Sequence, residues 1–92
     1  IRILGGGPMR DQLEAEVPED LKNRIEFLGH VEPQHIPPIF AECDAFCLPS
    51  RYDGWGVVVN EAIGAGMPVI VSDAVGAGHD LVKHGGTTVP GI

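Results

Sequence analysis

Short apolar segments alternate with segments of helical character along the whole chain. Hydrophobic patterning predicts helices at residues 9–17, about 34–42, 56 or 57 to 65, and a short turn near 79–83. The predicted strands are residues 2–4, 24–28, 45–48, 69–71 and about 88–89. Strands separated by helices pair in parallel, so the sequence predicts an α/β fold with a doubly wound parallel sheet and helices on both faces.

Residues 51–70 place a glycine-rich loop, a helix and a strand in immediate succession. The beginning of a helix presents unpaired N–H groups and a partial positive charge, which suit an anion such as a diphosphate. Carboxylates do not bind phosphate, so Asp53 in the loop and Glu61 in the helix are predicted to bind hydroxyl groups on either side of it. Loop and helix separate them by roughly 8–12 Å, a distance that suits a sugar at one end and a ribose at the other.

Four glycine- or serine-containing loops follow predicted strands, at residues 5–8, 29–31, 49–56 and 72–78. In open parallel sheets, ligands bind beyond the carboxyl ends of the strands. We therefore expect a ligand to be bound by these loops.

The charge balance limits the partners of this chain. Lys and Arg total 6 against 13 Asp and Glu, a formal net charge of -7, which argues against binding to nucleic acid or to an anionic membrane. Arg51 and Lys83 are the positively charged residues nearest the glycine-rich loop in the sequence. No apolar run approaches the roughly 20 residues of a membrane span. The first residues enter a strand directly, without an initiator Met or a signal peptide, so the chain is expected to begin in mid-protein.

Four motifs in order resemble those of the family 4 retaining glycosyltransferases of the GT-B fold. Residues 5–8 fit the family's G-x-G-P, residues 25–31 its V-x-F-L-G-x-V, residues 46–50 a strand ending in P-S, and residues 51–70 its E-x7-E region. The resemblance implies a Rossmann-like fold in which residues 1–92 are part of the nucleotide-sugar-binding C-terminal domain, without the N-terminal acceptor domain.

The resemblance also implies roles for individual residues. Glu61 would hold the ribose hydroxyls and Asp53 the hydroxyls of the donor sugar, and these two are the expected catalytic residues. The N–H groups from Gly54 to Val57 would bind sugar and diphosphate, and backbone groups near His30 and Val31 the nucleobase. The expected donor-binding residues are Gly5, Gly7, His30, Val31, Arg51, Asp53, Gly54, Trp55, Gly56, Val57 and Glu61.

The chain departs from the family pattern in two ways. Asp53 stands where the family has Glu, and its carboxylate reaches about 1.5 Å less far. The Arg and Lys pair with which family members grip the diphosphate lies on an element that precedes the G-x-G-P strand, and it is not in these residues.

The expected function is transfer of a sugar from a nucleotide-diphosphate-sugar donor to a saccharide or lipid-linked saccharide acceptor, in the cytoplasm and without a metal or other cofactor. Any membrane contact would come from the N-terminal domain, and this fragment alone is expected to be inactive. The alternatives are a non-catalytic nucleotide-sugar binding module and a GT-B relative such as a sugar-nucleotide epimerase. For Asp53 and Glu61 the structural alternative is a helix-capping loop carboxylate and a solvated helix face. Cys43 and Cys47 are expected to be buried thiols of a reducing compartment.

Overall fold

The computed structural model describes residues 1–80 and 87–89. It has the predicted α/β architecture, with parallel strands, helices and a Rossmann-like alternation. The strands form one two-stranded and one three-stranded parallel sheet. The chain divides into two compact units, Ile1–Ile36 and Pro37–Ile92, and each is described by itself.

The first unit contains two parallel strands and one α-helix. Strand β1 (Arg2–Leu4) is followed by helix α1 (Arg10–Glu16), a 3-10 helix (Glu19–Arg24), strand β2 (Glu26–Gly29) and a second 3-10 helix (Pro33–His35). β1 pairs with β2 through Ile3 opposite Phe27, and the register shifts between Ile3 and Leu4. The two predicted strands and the helix between them are confirmed. The first 3-10 helix lies between predicted elements, except for its last residue, Arg24, where the sequence pattern predicts the start of a strand.

The second unit contains three parallel strands and three helices. Helix α2 (Ile36–Ala41) leads to strand β3 (Phe46–Leu48), helix α3 (Val57–Gly64), strand β4 (Val69–Ser72), helix α4 (Gly76–Asp80) and strand β5 (Thr87–Val89). The strand order is β3-β4-β5. The predicted strands and the helix that begins at Val57 are confirmed. The helical turn predicted near 79–83 begins earlier, at Gly76, and its positions 81–83 lie outside the described residues.

The core of the second unit lies between α3, α4 and one face of the sheet. Val59 and Ala62, three positions apart, form the buried stripe of α3. Phe40 of α2 packs against Phe46 of β3, with ring centroids 5.7 Å apart. The buried apolar residues of the described chain are Phe40, Val59, Ala62, Val69, Val71, Val75 and Ala77.

The other face of this sheet is exposed, although the all-apolar character of residues 45–48 and 69–71 predicts strands that are buried on both faces. Cys47 of β3 pairs with Ile70 of β4, and both are exposed, Ile70 by 40%. Successive side chains of a strand point to opposite faces, so the neighbours Val69 and Val71 lie in the core. The prediction of buried thiols is wrong for Cys47, which is exposed, and Cys43 is half-buried; both are free cysteines.

Helix α3 is the element on which the predicted site depends, and its ends are defined by glycines. Gly56 at its beginning has φ 81°. At its end, Gly66 has φ 77°, and the N–H groups of Gly66 and Met67 donate to the carbonyls of Ile63 and Ala62, the hydrogen-bond pattern of a Schellman motif. The three successive valines that begin α3 have low helix propensity. The helix forms nevertheless, because burial of Val59 and Ala62 stabilises it more than the low propensity destabilises it.

Candidate functional site

In the second unit, the loop that follows β3 is bonded along its length to the loop that follows β4. The buried Ser72 donates a hydrogen bond from its hydroxyl to the carbonyl of Ser50. Further along, the N–H of Asp53 donates to the carbonyl of Ala74 (3.4 Å), and the N–H of Ala77 donates to the carbonyl of Trp55 (2.7 Å). These bonds hold residues 50–55 at the carboxyl end of the sheet, where parallel sheets bind ligands.

Close contact between two glycines completes this junction. A Cβ at Gly76 would collide with the carbonyl oxygen of Gly54 and lie 3.2 Å from the Cα of Trp55. The N–H of Gly76 also donates to the carbonyl of Asp53 (3.3 Å). Gly76 is therefore required by the approach of two backbones. In the sequence, this glycine is the last residue of the S-D-x-x-G pattern at residues 72–76.

The carboxylate of Asp53 is half-buried and engaged in its own loop. Its Oδ1 accepts a hydrogen bond from the N–H of Trp55 (3.2 Å), two residues on, which is the geometry of an Asx turn. The bond is made within the loop, and α3 has no side-chain cap. The helix-capping interpretation of Asp53 is therefore wrong, although a structural role in the loop is present.

The beginning of α3 presents backbone N–H groups next to this loop. The N-terminal amides of a helix lack intrahelical acceptors, and here no side chain caps them. Gly56, the residue before the helix, adopts the left-handed backbone conformation. A Cβ at this position would lie 2.7 Å from Cγ1 of Val75. Any other residue at position 56 would require Val75 or the start of α3 to shift.

Glu61 lies in the second turn of α3, on its exposed side. The buried stripe of the helix is formed by Val59 and Ala62, whereas Glu61 and Val57, one turn before it, are both exposed. Around the loop, Arg51 is exposed, Tyr52 is 87% exposed and Trp55 is 40% exposed. The second unit thus brings together one set of the predicted site residues: Arg51, Asp53, Gly54, Trp55, Gly56, Val57 and Glu61.

The other predicted residues lie in the first unit, at the ends of β1 and β2. The N–H of Gly5 donates to the carbonyl of Gly29 (2.7 Å), so the loop after β1, which contains Gly7, meets the end of β2. His30 is exposed, with its Nε2 3.3 Å from Oε1 of Glu32, and Val31 is half-buried.

Two further features of the described residues bear on chemistry. Within residues 1–80 and 87–89, no cluster of three His, Cys, Asp or Glu side chains has the geometry to hold a metal ion. None of the helices in the described ranges has the length and apolar character needed to cross a membrane.

Comparison with known proteins identifies the family. The model of the family described as glycosyl transferases group 1 matches residues 1–91. The chain belongs to the glycosyl transferases group 1 family. This confirms the broader part of the resemblance, a glycosyltransferase of the GT-B type.

Individual relatives agree with this assignment. An uncharacterized glycosyltransferase of Methanocaldococcus jannaschii is 36% identical over 67 residues, which cover 72% of this chain and 17% of the relative. Mannosylfructose-phosphate synthase of Agrobacterium fabrum is 32% identical over 77 residues, covering 74% of this chain and 17% of the relative. Glycogen synthase of Mycobacterium tuberculosis is 32% identical over 72 residues with the same coverage. This chain therefore spans 17% of the length of these three curated relatives.

Proposed function

We propose that the intact protein is a retaining glycosyltransferase of family 4, and that this chain contributes part of its donor-binding domain. The observation that carries the proposal is the junction of β3, its loop and α3, in a chain whose family is glycosyl transferases group 1. An uncapped helix beginning, entered through Gly56, lies between the carboxylates of Asp53 and Glu61 in the sequence. Relatives named as a glucosyltransferase and a mannosyltransferase support a hexose as the transferred sugar.

In this proposal the two carboxylates bind hydroxyl groups of one donor. Glu61, exposed on α3, accepts hydrogen bonds from the ribose hydroxyls. Asp53 uses Oδ1 for the Trp55 amide, and a carboxylate has acceptor capacity beyond one hydrogen bond. The remaining capacity is assigned to the hydroxyls of the donor sugar. The shorter side chain of Asp53, compared with the Glu of the family, fits a loop that is bonded to its own carboxylate.

The sugar and diphosphate are assigned to the N–H groups from Gly54 to Val57, apart from that of Trp55, which donates to Asp53. The N–H groups of Gly56 and Val57, at the beginning of α3, carry the positive end of the helix dipole, and the exposed Arg51 adds a positive charge to the same loop. As the sugar leaves, negative charge develops on the diphosphate, and dipoles that already point at it stabilise the transition state without reorganisation. We propose that no metal ion or other cofactor takes part. The nucleobase is assigned to backbone groups near His30 and Val31, and the reaction to the cytoplasm.

Binding of a nucleoside diphosphate by a Glu61→Gln variant of the intact protein tests the proposal. Glutamine keeps the size of the side chain but replaces a charged acceptor with a neutral amide. Hydrogen bonds to charged groups contribute about 1.5–3 kcal/mol, so calorimetry is expected to show affinity reduced by roughly tenfold or more. The matched control is Glu42→Gln, which changes an exposed glutamate far along the sequence from α3 and should bind as the wild type does. Unchanged binding by Glu61→Gln would reject the ribose assignment.

A non-catalytic binding module would pass that test, so activity must be measured as well. The intact wild-type protein should release nucleoside diphosphate from a nucleotide-sugar and form a glycoside with retained anomeric configuration. Tight binding without transfer or hydrolysis, across a panel of nucleotide-hexoses and saccharide acceptors, would favour the binding module.

A further inference from the structure

Arg10, the first residue of α1, joins that helix to the end of β2. Its Nη2 donates a hydrogen bond to the carbonyl of Phe27 (3.1 Å), and its Nε lies 2.9 Å from Oε1 of Glu14. The third guanidinium nitrogen, Nη1, lies 2.9 Å from the point that a Cβ of Gly29 would occupy. The planar guanidinium thus contacts its own helix at Glu14 and the end of β2 at Phe27 and Gly29.

Gly29, on which this guanidinium lies, is buried and has φ 70°. Its carbonyl accepts the N–H of Gly5 (2.7 Å), so the residue is bonded to the loop after β1 and also lies against the guanidinium of Arg10. The next residue is His30. The conformation of Gly29 therefore sets the direction in which the backbone of His30 and Val31 leaves the sheet.

We propose that Arg10 is a positioning residue: it holds the end of β2 so that the backbone groups of His30 and Val31 are preorganised for a nucleobase. This inference rests on the proposed function, because it takes the nucleobase site from there. Arg10 itself is assigned no contact with the ligand. Arginine is required because one planar group makes both bonds at fixed angles, whereas a lysine ammonium is a point donor on a flexible chain.

The alternative is that Arg10 only forms a surface ion pair with Glu14. Both side chains are 43% exposed, and exposed pairs of this kind contribute little. Removing Glu14 leaves the bond from Arg10 to Phe27 in place, so Glu14→Gln is the matched control for Arg10→Met. Arg10→Lys keeps the charge and removes the planar geometry.

The experiment is calorimetric titration of the intact protein and its variants with uridine, guanosine and adenosine diphosphates, and with inorganic diphosphate. For Arg10→Met we expect affinity for the preferred nucleoside diphosphate to fall by about tenfold. The ratio of affinities among the three bases should shrink, and binding of inorganic diphosphate should stay unchanged. Arg10→Lys should lie between Arg10→Met and the wild type, and Glu14→Gln should match the wild type.

Amide hydrogen exchange gives a second measurement, which is needed if Arg10→Met folds poorly. In Arg10→Lys, exchange should accelerate at residues 29–31 and stay unchanged at residues 57–64, the α3 helix.

The outcomes separate this inference from the proposed function. Wild-type affinities and base preference in both Arg10 variants, with wild-type exchange at residues 29–31, would overturn the positioning role and leave the glycosyltransferase proposal standing. Loss of inorganic diphosphate binding together with nucleotide binding would also overturn it, because Arg10 would then act on the whole protein. Failure of the wild-type protein to bind any nucleoside diphosphate would overturn both.

Discussion

Asp53 has both a structural contact and a proposed chemical role, and one substitution separates them. Asparagine retains an Oδ1 that can accept the Trp55 amide, so the Asx turn is kept while the charge is removed. If the carboxylate binds the donor sugar, Asp53→Asn in the intact enzyme should lower kcat/KM for the donor by about 10²-fold, about 2.7 kcal/mol. Binding of the nucleoside diphosphate should be nearly unchanged. Equal weakening of diphosphate and donor binding would make Asp53 a loop residue only.

Glutamate at position 53 provides the reciprocal variant, because it restores the residue of the family pattern. Its longer side chain does not fit an Asx turn, which depends on the short side chain of Asp or Asn. We expect Asp53→Glu to lose the bond to the Trp55 amide and to lower kcat/KM or shift donor preference. Activity equal to that of the wild type, with every donor tested, would show that the turn is dispensable.

Gly56 and Gly54 lie in the same loop but have different steric surroundings. A Cβ at Gly56 would lie 2.7 Å from Cγ1 of Val75, in a backbone with φ 81°, whereas a Cβ at Gly54 has no atom within 4 Å. Overpacking costs about 1–3 kcal/mol and the left-handed conformation about 1–2 kcal/mol. Gly56→Ala should therefore lower the free energy of unfolding by about 2–5 kcal/mol in urea denaturation, and Gly54→Ala by less than about 0.5 kcal/mol. Equal effects of the two substitutions would contradict the packing described for the start of α3.

At the scale of the element, α3 depends on its ends more than on its propensity. Three valines open it, and its eight residues are fewer than an isolated helix needs in water. Gly56 brings its beginning against the sheet, and the Schellman motif satisfies its last carbonyls. The beginning of the helix is consequently held in place before any ligand arrives.

Two glycines near the end of α3, Gly64 and Gly66, test whether the ends of this helix stabilise it. Gly66 has φ 77°, whereas Gly64 lies within the helix and a Cβ there would meet nothing within 4 Å. Alanine at 66 should cost about 1–2 kcal/mol, and alanine at 64 should stabilise by about 0.5–1 kcal/mol. Thermal unfolding of the two variants should therefore shift in opposite directions. Destabilisation by Gly64→Ala would show that its helical position is not what the structure describes.

At the scale of the whole molecule, the chain divides into two small units, and burial is limited among the residues whose exposure the structure describes. A chain of this length buries about 60–65% of its unfolded surface. In the first unit, Ile3, Leu4 and Leu28 are each 37% exposed, and in the second the face formed by Cys47 and Ile70 is exposed. Modest stability of the isolated chain is the expected consequence.

The length of the chain also bears on the activity expected of these 92 residues alone. The chain spans 17% of the length of the Methanocaldococcus jannaschii and Agrobacterium fabrum relatives, and active sites that join two substrates commonly lie in clefts that close around both. The 92 residues alone are therefore expected to lack transferase activity with any nucleotide-sugar and acceptor, while the intact protein, assayed in parallel, is active. Detectable glycoside formation by the isolated chain would show that the acceptor site lies within it.

Much of the architecture follows from the sequence by itself. The alternation of strands and helices, the helix after the glycine-rich loop and the order of the family motifs depend on local composition and spacing, which neighbouring residues determine. The tertiary structure alone decided which groups meet across the chain: Arg10 with Phe27, 17 residues away, and Ser72 with Ser50, 22 residues away. It also decided that the Cys47 face is exposed and that Gly76 lies against Gly54. An apolar strand has the same sequence whether one face or both are covered, and a glycine has the same letter whether or not a second backbone approaches it.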